Sequence, residues 1–122
     1  MRHSISIFLA LTIMVAPTFM SLAEEKKIEV NKSQWHEEIR STSCVPTITH
    51  DSNTLCIYSN IILENLHIIV KDRMGTTLYS NTVTISSNQH YSFTINNIKE
   101  GDFLIELTHE NKYLYGYFYI SQ

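Results

Sequence analysis

Beyond residue 44 the chain alternates: large apolar side chains fall at every second position, and the three-and-four spacing of an amphipathic helix is absent. Seven runs carry the alternation, at residues 45–50, 54–59, 66–71, 77–83, 90–95, 103–108 and 113–120. Val, Ile, Thr, Tyr and Phe dominate them, the residues that suit a pleated surface. Turn formers separate the runs. Asp51-Ser52-Asn53 is one break, and Asp72-Arg73-Met74-Gly75 is another, with Gly75 able to take positive φ. The stretch from Asn96-Asn97 to Gly101 closes a third, and Glu110-Asn111-Lys112 makes a tight hairpin. Short strands at this even spacing predict an all-β fold, a seven-stranded antiparallel sandwich.

The same alternation sorts side chains into faces. Leu55 and Ile57 point one way, and Leu66, Ile68 and Val70 do so in the next run. Tyr91, Phe93 and Ile95 follow, then Phe103, Ile105 and Leu107, then Leu114, Phe118 and Ile120. One sheet face cannot hide so many large groups, so two sheets must pack face to face. Gly116 falls on the inward side, where a missing side chain suits close packing or a bulge.

Residues 24–43 lack the pattern, running from Glu24-Glu25-Lys26-Lys27 to Ser41-Thr42-Ser43. Ile28-Glu29-Val30 alternates like a short edge strand, and Trp35 is expected to plug the end of the core. The first 23 residues read differently again. Arg2 and His3 precede an apolar stretch from Ile5 to Val15, Pro17 breaks any helix, and Ser21-Leu22-Ala23 offers small residues for cleavage. That is a secretion signal cleaved after Ala23, and the apolar stretch is shorter than the ~20 residues a membrane span needs. The expected organisation is therefore a signal peptide at 1–23, an N-terminal segment at 24–43 and a sandwich at 44–122. No cysteine sits near the end of the leader, so no lipid or membrane anchor is expected after cleavage, and the protein is expected to be secreted or periplasmic.

Charge narrows the partners. Residues 24–122 hold eight Lys and Arg against twelve Asp and Glu, a net charge of −4, with no basic block. Nucleic acid is excluded as a partner, because phosphate binding depends on clustered Lys and Arg. Export also permits a disulfide between Cys44 and Cys56. Whether it forms depends on register, since the two residues flank a hairpin turning at residues 50–53 and a bridge needs Cα atoms within ~7 Å. The alternative is two thiols, with Cys56 buried and Cys44 exposed.

Several stretches resemble one family of small exported domains. Arg40-Ser41, Pro46 and Asn53-Thr54-Leu55 match its opening, and Ile68-Ile69-Val70-Lys71-Asp72 with Gly75 and Leu78-Tyr79 match its middle. Ile98-Lys99-Glu100-Gly101, Leu114-Tyr115-Gly116, Phe118 and Ile120 complete the likeness over roughly residues 27–122. The chain thus resembles the domain of unknown function 3244 family, small secreted immunoglobulin-like domains of Bacteroidetes. The resemblance implies an immunoglobulin-like sandwich and export; it implies no activity, cofactor or catalytic residue. Arg73-Met74 depart from the smaller residues usual in that turn, which leaves the turn type open.

Chemistry is sparse. His36, His50, His67, His90 and His109 lie more than ten residues apart, and none makes a metal-ligand pair with another His or with a Cys. No Gly-x-Ser-x-Gly occurs, Gly75, Gly101 and Gly116 are too scattered for a phosphate loop, and the adjacent Glu37-Glu38 would point apart on a strand. No catalytic residue, metal or cofactor is assigned. One feature rises above this background. Tyr113, Tyr115, Tyr117 and Tyr119 occupy every second position of the last run, so four phenols share the face opposite Phe118 and Ile120. They either pair with neighbours such as Tyr58 or Tyr79 or stack on a ligand. Two functions follow. One is a non-catalytic module, a monomer or weak oligomer, that binds an unknown protein or glycan through an exposed sheet face. The other is a structural or assembly element whose last strand pairs with a partner by β-strand addition.

Overall fold

Each alternating run becomes a strand with one oily side, and that side finds cover only across a second sheet. The structure, a computed structural model, describes residues 25–35, 44–96 and 98–121. The leader expected at 1–23 lies outside the described residues, as do His36, the Glu37-Glu38 pair and Arg40-Ser41. The described residues form nine strands: β1 (Lys26–Lys27), β2 (Val30–Gln34), β3 (Thr47–Asp51), β4 (Thr54–Ser59), β5 (Leu63–Asp72), β6 (Thr77–Ile85), β7 (Gln89–Thr94), β8 (Gly101–His109) and β9 (Lys112–Ile120). They make two sheets, one ordered β1-β3-β4-β7 and the other β2-β9-β8-β5-β6, with every pairing antiparallel.

The sandwich is as expected, but the strand count rises from seven to nine. The two extra strands, β1 and β2, are short edge strands with largely exposed polar side chains; they flank the edge strand expected over 28–30, of which only Val30 lies in a strand while Ile28 and Glu29 form the link between the two. Between them the chain crosses from one sheet to the other. Ile28 hangs from that crossing into the core, and the Ile28 amide donates to the Ile48 carbonyl at 2.8 Å. Trp35 ends the segment as a second peg, 4% exposed.

The core follows the alternation. Ile48, Leu55 and Ile57 of one sheet meet Leu66, Ile68, Val70, Ile105, Leu107 and Leu114 of the other, and all nine are fully buried. Each contributes on the order of 1.5–3 kcal/mol relative to exposure. Leu63 joins them out of phase, because Asn65 at φ +58° forms a bulge that restores parity before Leu66.

Two devices close the open sides of the sandwich. On one side, the Tyr79 and Tyr91 hydroxyls meet at 2.8 Å and Asn81 Nδ2 donates to both at 3.2 Å, linking β6 to β7 across the sheets. Tyr79 also stacks on Phe93 with centroids 4.1 Å apart. On the other side, the β1–β2 crossing lies against Gly116. A Cβ there would sit 2.8 Å from the Glu29 carbonyl oxygen and 2.8 Å from Ile28 Cγ2. Gly116→Val is therefore expected to destabilise the domain by about 1–3 kcal/mol, with the backbone oxygen unable to give way as a side chain would. A urea unfolding midpoint equal to wild type contradicts this.

Candidate functional site

A two-residue turn sets the site. His109 faces Lys112, leaving Glu110 and Asn111 as the loop, with Glu110 at the positive φ of +59° that such turns require. From that register, Leu114, Gly116, Phe118 and Ile120 point inward and are buried, while Tyr113, Tyr115, Tyr117 and Tyr119 line the outer face of the five-stranded sheet. Tyr117 is 67% exposed and Tyr119 49%; Tyr113 and Tyr115 are half-buried.

Neighbouring strands add one row of side chains per tyrosine. Tyr115 faces Glu106, which faces Ile69, and Tyr117 faces Leu104, which faces Lys71. Tyr113 faces Thr108 and then His67, whose Nδ1 lies 3.0 Å from Thr82 Oγ1. Glu106 is the polar centre: its Oε2 accepts from the Tyr113 hydroxyl at 2.7 Å and its Oε1 lies 3.3 Å from Lys71 Nζ. Burial, then the bond to Glu106 and its negative charge, push the Tyr113 phenol up to about 12. Tyr119 donates to Glu100 Oε2 at 2.6 Å, and that bond raises its ionisation as well.

The rings are not coplanar. Tyr113 and Tyr115 are tilted by 36° and Tyr115 and Tyr117 by 81°, with centroids 5.9 and 5.8 Å apart. The row ends at a groove of about 340 Å³ lined by Lys71, Asp72, Arg73, Asp102, Leu104 and Tyr117. Asp72 is committed to its turn, its Oδ1 accepting the Met74 and Thr76 amides at 2.9 Å, while Gly75 takes φ +90°. This surface offers phenol faces beside hydrogen-bonding side chains. Among the described residues no three His, Cys, Asp or Glu gather as metal ligands. No helix among the described residues is long and apolar enough to cross a membrane.

Other residues singled out in the sequence lie elsewhere. Tyr58 bonds Asn88 on the outer face of the four-stranded sheet, and Tyr79 serves the closure, so neither pairs with the tyrosine row. His50 is buried against Phe118, and His109 stacks on Trp35 at the hairpin end. Cys44 and Cys56 carry thiols and no disulfide joins them. The register explains why. Cys56 faces Thr49, five residues downstream of Cys44, and at ~3.3 Å per extended residue that offset exceeds the reach of a bridge. Both are half-buried, rather than one buried and one exposed. Sequence reasoning found the tyrosines by parity; it missed Glu106 and Lys71, whose pairing across β5 and β8 depends on a non-local register.

The family model described as "Domain of unknown function (DUF3244)" matches residues 27–120. The chain belongs to this family. A solved DUF3244 protein from Bacteroides vulgatus, described as having an immunoglobulin-like β-sandwich fold, is 21% identical. The match covers 78% of this chain and 97% of that one, with a TM-score of 0.63, which establishes the shared fold. No curated protein matches the chain. This DUF3244 domain is thus an immunoglobulin-like sandwich whose family description assigns no role to the tyrosine face.

Two predictions follow from the geometry. Glu106→Gln is expected to lower the Tyr113 ionisation from about 12, but not as far as the ordinary 10, because burial remains the larger cause. In the wild type, the stability Tyr113 contributes is full below pH 10 and is lost as pH rises to about 12, since the unfolded phenol ionises first. Tyrosinate absorbance of the two proteins against pH checks both points; an unchanged titration in the variant contradicts them. Separately, protein prepared without reductant is expected to yield two titratable thiols after denaturation, and none if a bridge exists.

Proposed function

We propose that this DUF3244 domain is an exported, non-catalytic recognition module that binds a glycan chain across the tyrosine face of its five-stranded sheet. The observation that carries this reading is the exposed Tyr117 beside a row of polar groups. Phenol faces cover the apolar side of a sugar ring, while Glu106, Lys71 and the groove carrying Arg73 and Asp102 accept and donate hydrogen bonds to hydroxyls. The inclined rings suit a single, twisted chain better than a flat crystalline surface, which needs coplanar stacking. Export rests on the leader read in residues 1–23, and the sparse chemistry supports binding without turnover.

Titration of the domain with soluble oligosaccharides of differing linkage tests the proposal. Binding to at least one is expected, and Tyr117→Ala is expected to weaken it about tenfold, as truncation of a central aromatic contact does. Tyr117 is solvent-exposed, so the variant is expected to keep the wild-type unfolding midpoint. Binding that survives both Tyr117→Ala and Tyr115→Ala removes the tyrosine face as the site. A captured protein in place of any glycan supports the module but overturns its assigned ligand.

A further inference from the structure

Most charged groups around the tyrosine row already have partners. Glu106 is taken by Tyr113 and Lys71, Glu100 by the Tyr119 hydroxyl, and Asp72 by the amides of its own turn. Two charged groups lining the groove beside Tyr117 do not. Among the described residues the Asp102 carboxylate and the Arg73 guanidinium make no hydrogen bond or ion pair, and both residues are exposed. Register sets Asp102 on the outer face: it faces Tyr119 directly and is therefore a diagonal neighbour of Tyr117. Arg73 comes from the turn after β5, which Asp72 and Gly75 shape. Leu104, directly opposite Tyr117, gives the groove an apolar lining.

We infer, resting on the glycan reading of the tyrosine face, that Asp102 and Arg73 make this face select an uncharged glycan and reject its acidic counterparts. A carboxylate only accepts hydrogen bonds, and a guanidinium only donates them. A sugar hydroxyl does both, so neighbouring hydroxyls of a ring stacked on Tyr117 satisfy the two groups together. An acidic sugar satisfies Arg73 alone and stands against Asp102. The surrounding charge adds to that penalty. Lys71 is cancelled by Glu106 at 3.3 Å, whereas Asp72, Asp102 and Glu100 outnumber Arg73, and Lys99 lines the adjoining groove rather than this one. Residues 24–122 as a whole carry a net charge of −4. One like charge at ~4 Å in water lowers affinity about fivefold.

Calorimetric titration tests this with gluco-, manno- and galacto-oligosaccharides, and with the same sugars after oxidation of their primary hydroxyls to carboxylates. At about 10 mM salt a neutral sugar is expected to bind at least fivefold more tightly than its oxidised form. The gap is expected to shrink by about 1 M salt, where exposed charges act over only ~3 Å. Asp102→Asn is expected to narrow the gap and Arg73→Gln to widen it. Both positions are exposed, so both variants are expected to keep the wild-type unfolding midpoint. Glu64→Gln removes an exposed carboxylate at the far end of β5 from Asp72 and is expected to leave the gap unchanged. An oxidised sugar that binds as tightly as its neutral parent overturns the charge selection, as does a gap that Asp102→Asn leaves in place. If that acidic binding is lost in Tyr117→Ala, the tyrosine face stands as the site and only the selection falls. A domain that binds neither form of any sugar overturns both.

Discussion

Parity in the β8–β9 hairpin governs most of what this domain presents. A two-residue loop leaves no slack, so His109 must face Lys112, and every later residue of β9 is committed to one side of the sheet. A slip of one residue would turn four phenols into the core and expose Leu114, Phe118 and Ile120, each worth on the order of 1.5–3 kcal/mol when buried. The inward groups complete the packing against Ile48, Leu55 and Ile57, and the outward groups are free to meet something else. The core and the candidate surface are two sides of one register.

The sides of the sandwich require separate solutions, because strands bury only their faces. At β6 and β7 the solution is polar, a pair of tyrosine hydroxyls braced by Asn81. At β3 and β9 it is steric: the chain passes between the sheets with Ile28 and Trp35 as pegs, and Gly116 leaves room for it. The crossing is short, so β2 covers only the first half of β9. Closing the core and leaving an edge open are consequences of the same few residues.

The alternating runs were legible in the sequence because period-two burial is a local signal. The inward sets at 55–57, 66–70, 103–107 and 114–120 are all core, as is Phe93 with Ile95, while Tyr91 is only partly covered because its hydroxyl serves the closure. Leu63 and Ile85 escaped the reading, since the bulge at Asn65 breaks the period and Ile85 lies beyond the last obvious alternation of its strand. An edge strand was read at 28–30, but the bounds of β1 and β2 on either side of it were not legible, because Lys-Lys and Val-Asn-Lys-Ser-Gln are polar edges held by neighbours far along the chain. The outward placement of the tyrosines needed only parity, but the Glu106–Lys71 pair and the separation of the cysteines needed registers between distant strands. Belonging to the DUF3244 family accounts for the fold and leaves the surface chemistry to be read from the side chains themselves.

Backbone contacts across the β8–β9 hairpin test the account most directly. In nuclear magnetic resonance spectra of the labelled protein, close cross-strand contacts are predicted for Thr108 with Tyr113, Glu106 with Tyr115, Leu104 with Tyr117 and Asp102 with Tyr119. A set displaced by one residue, such as Glu106 against Leu114, would contradict the register and remove the tyrosines from the outer face.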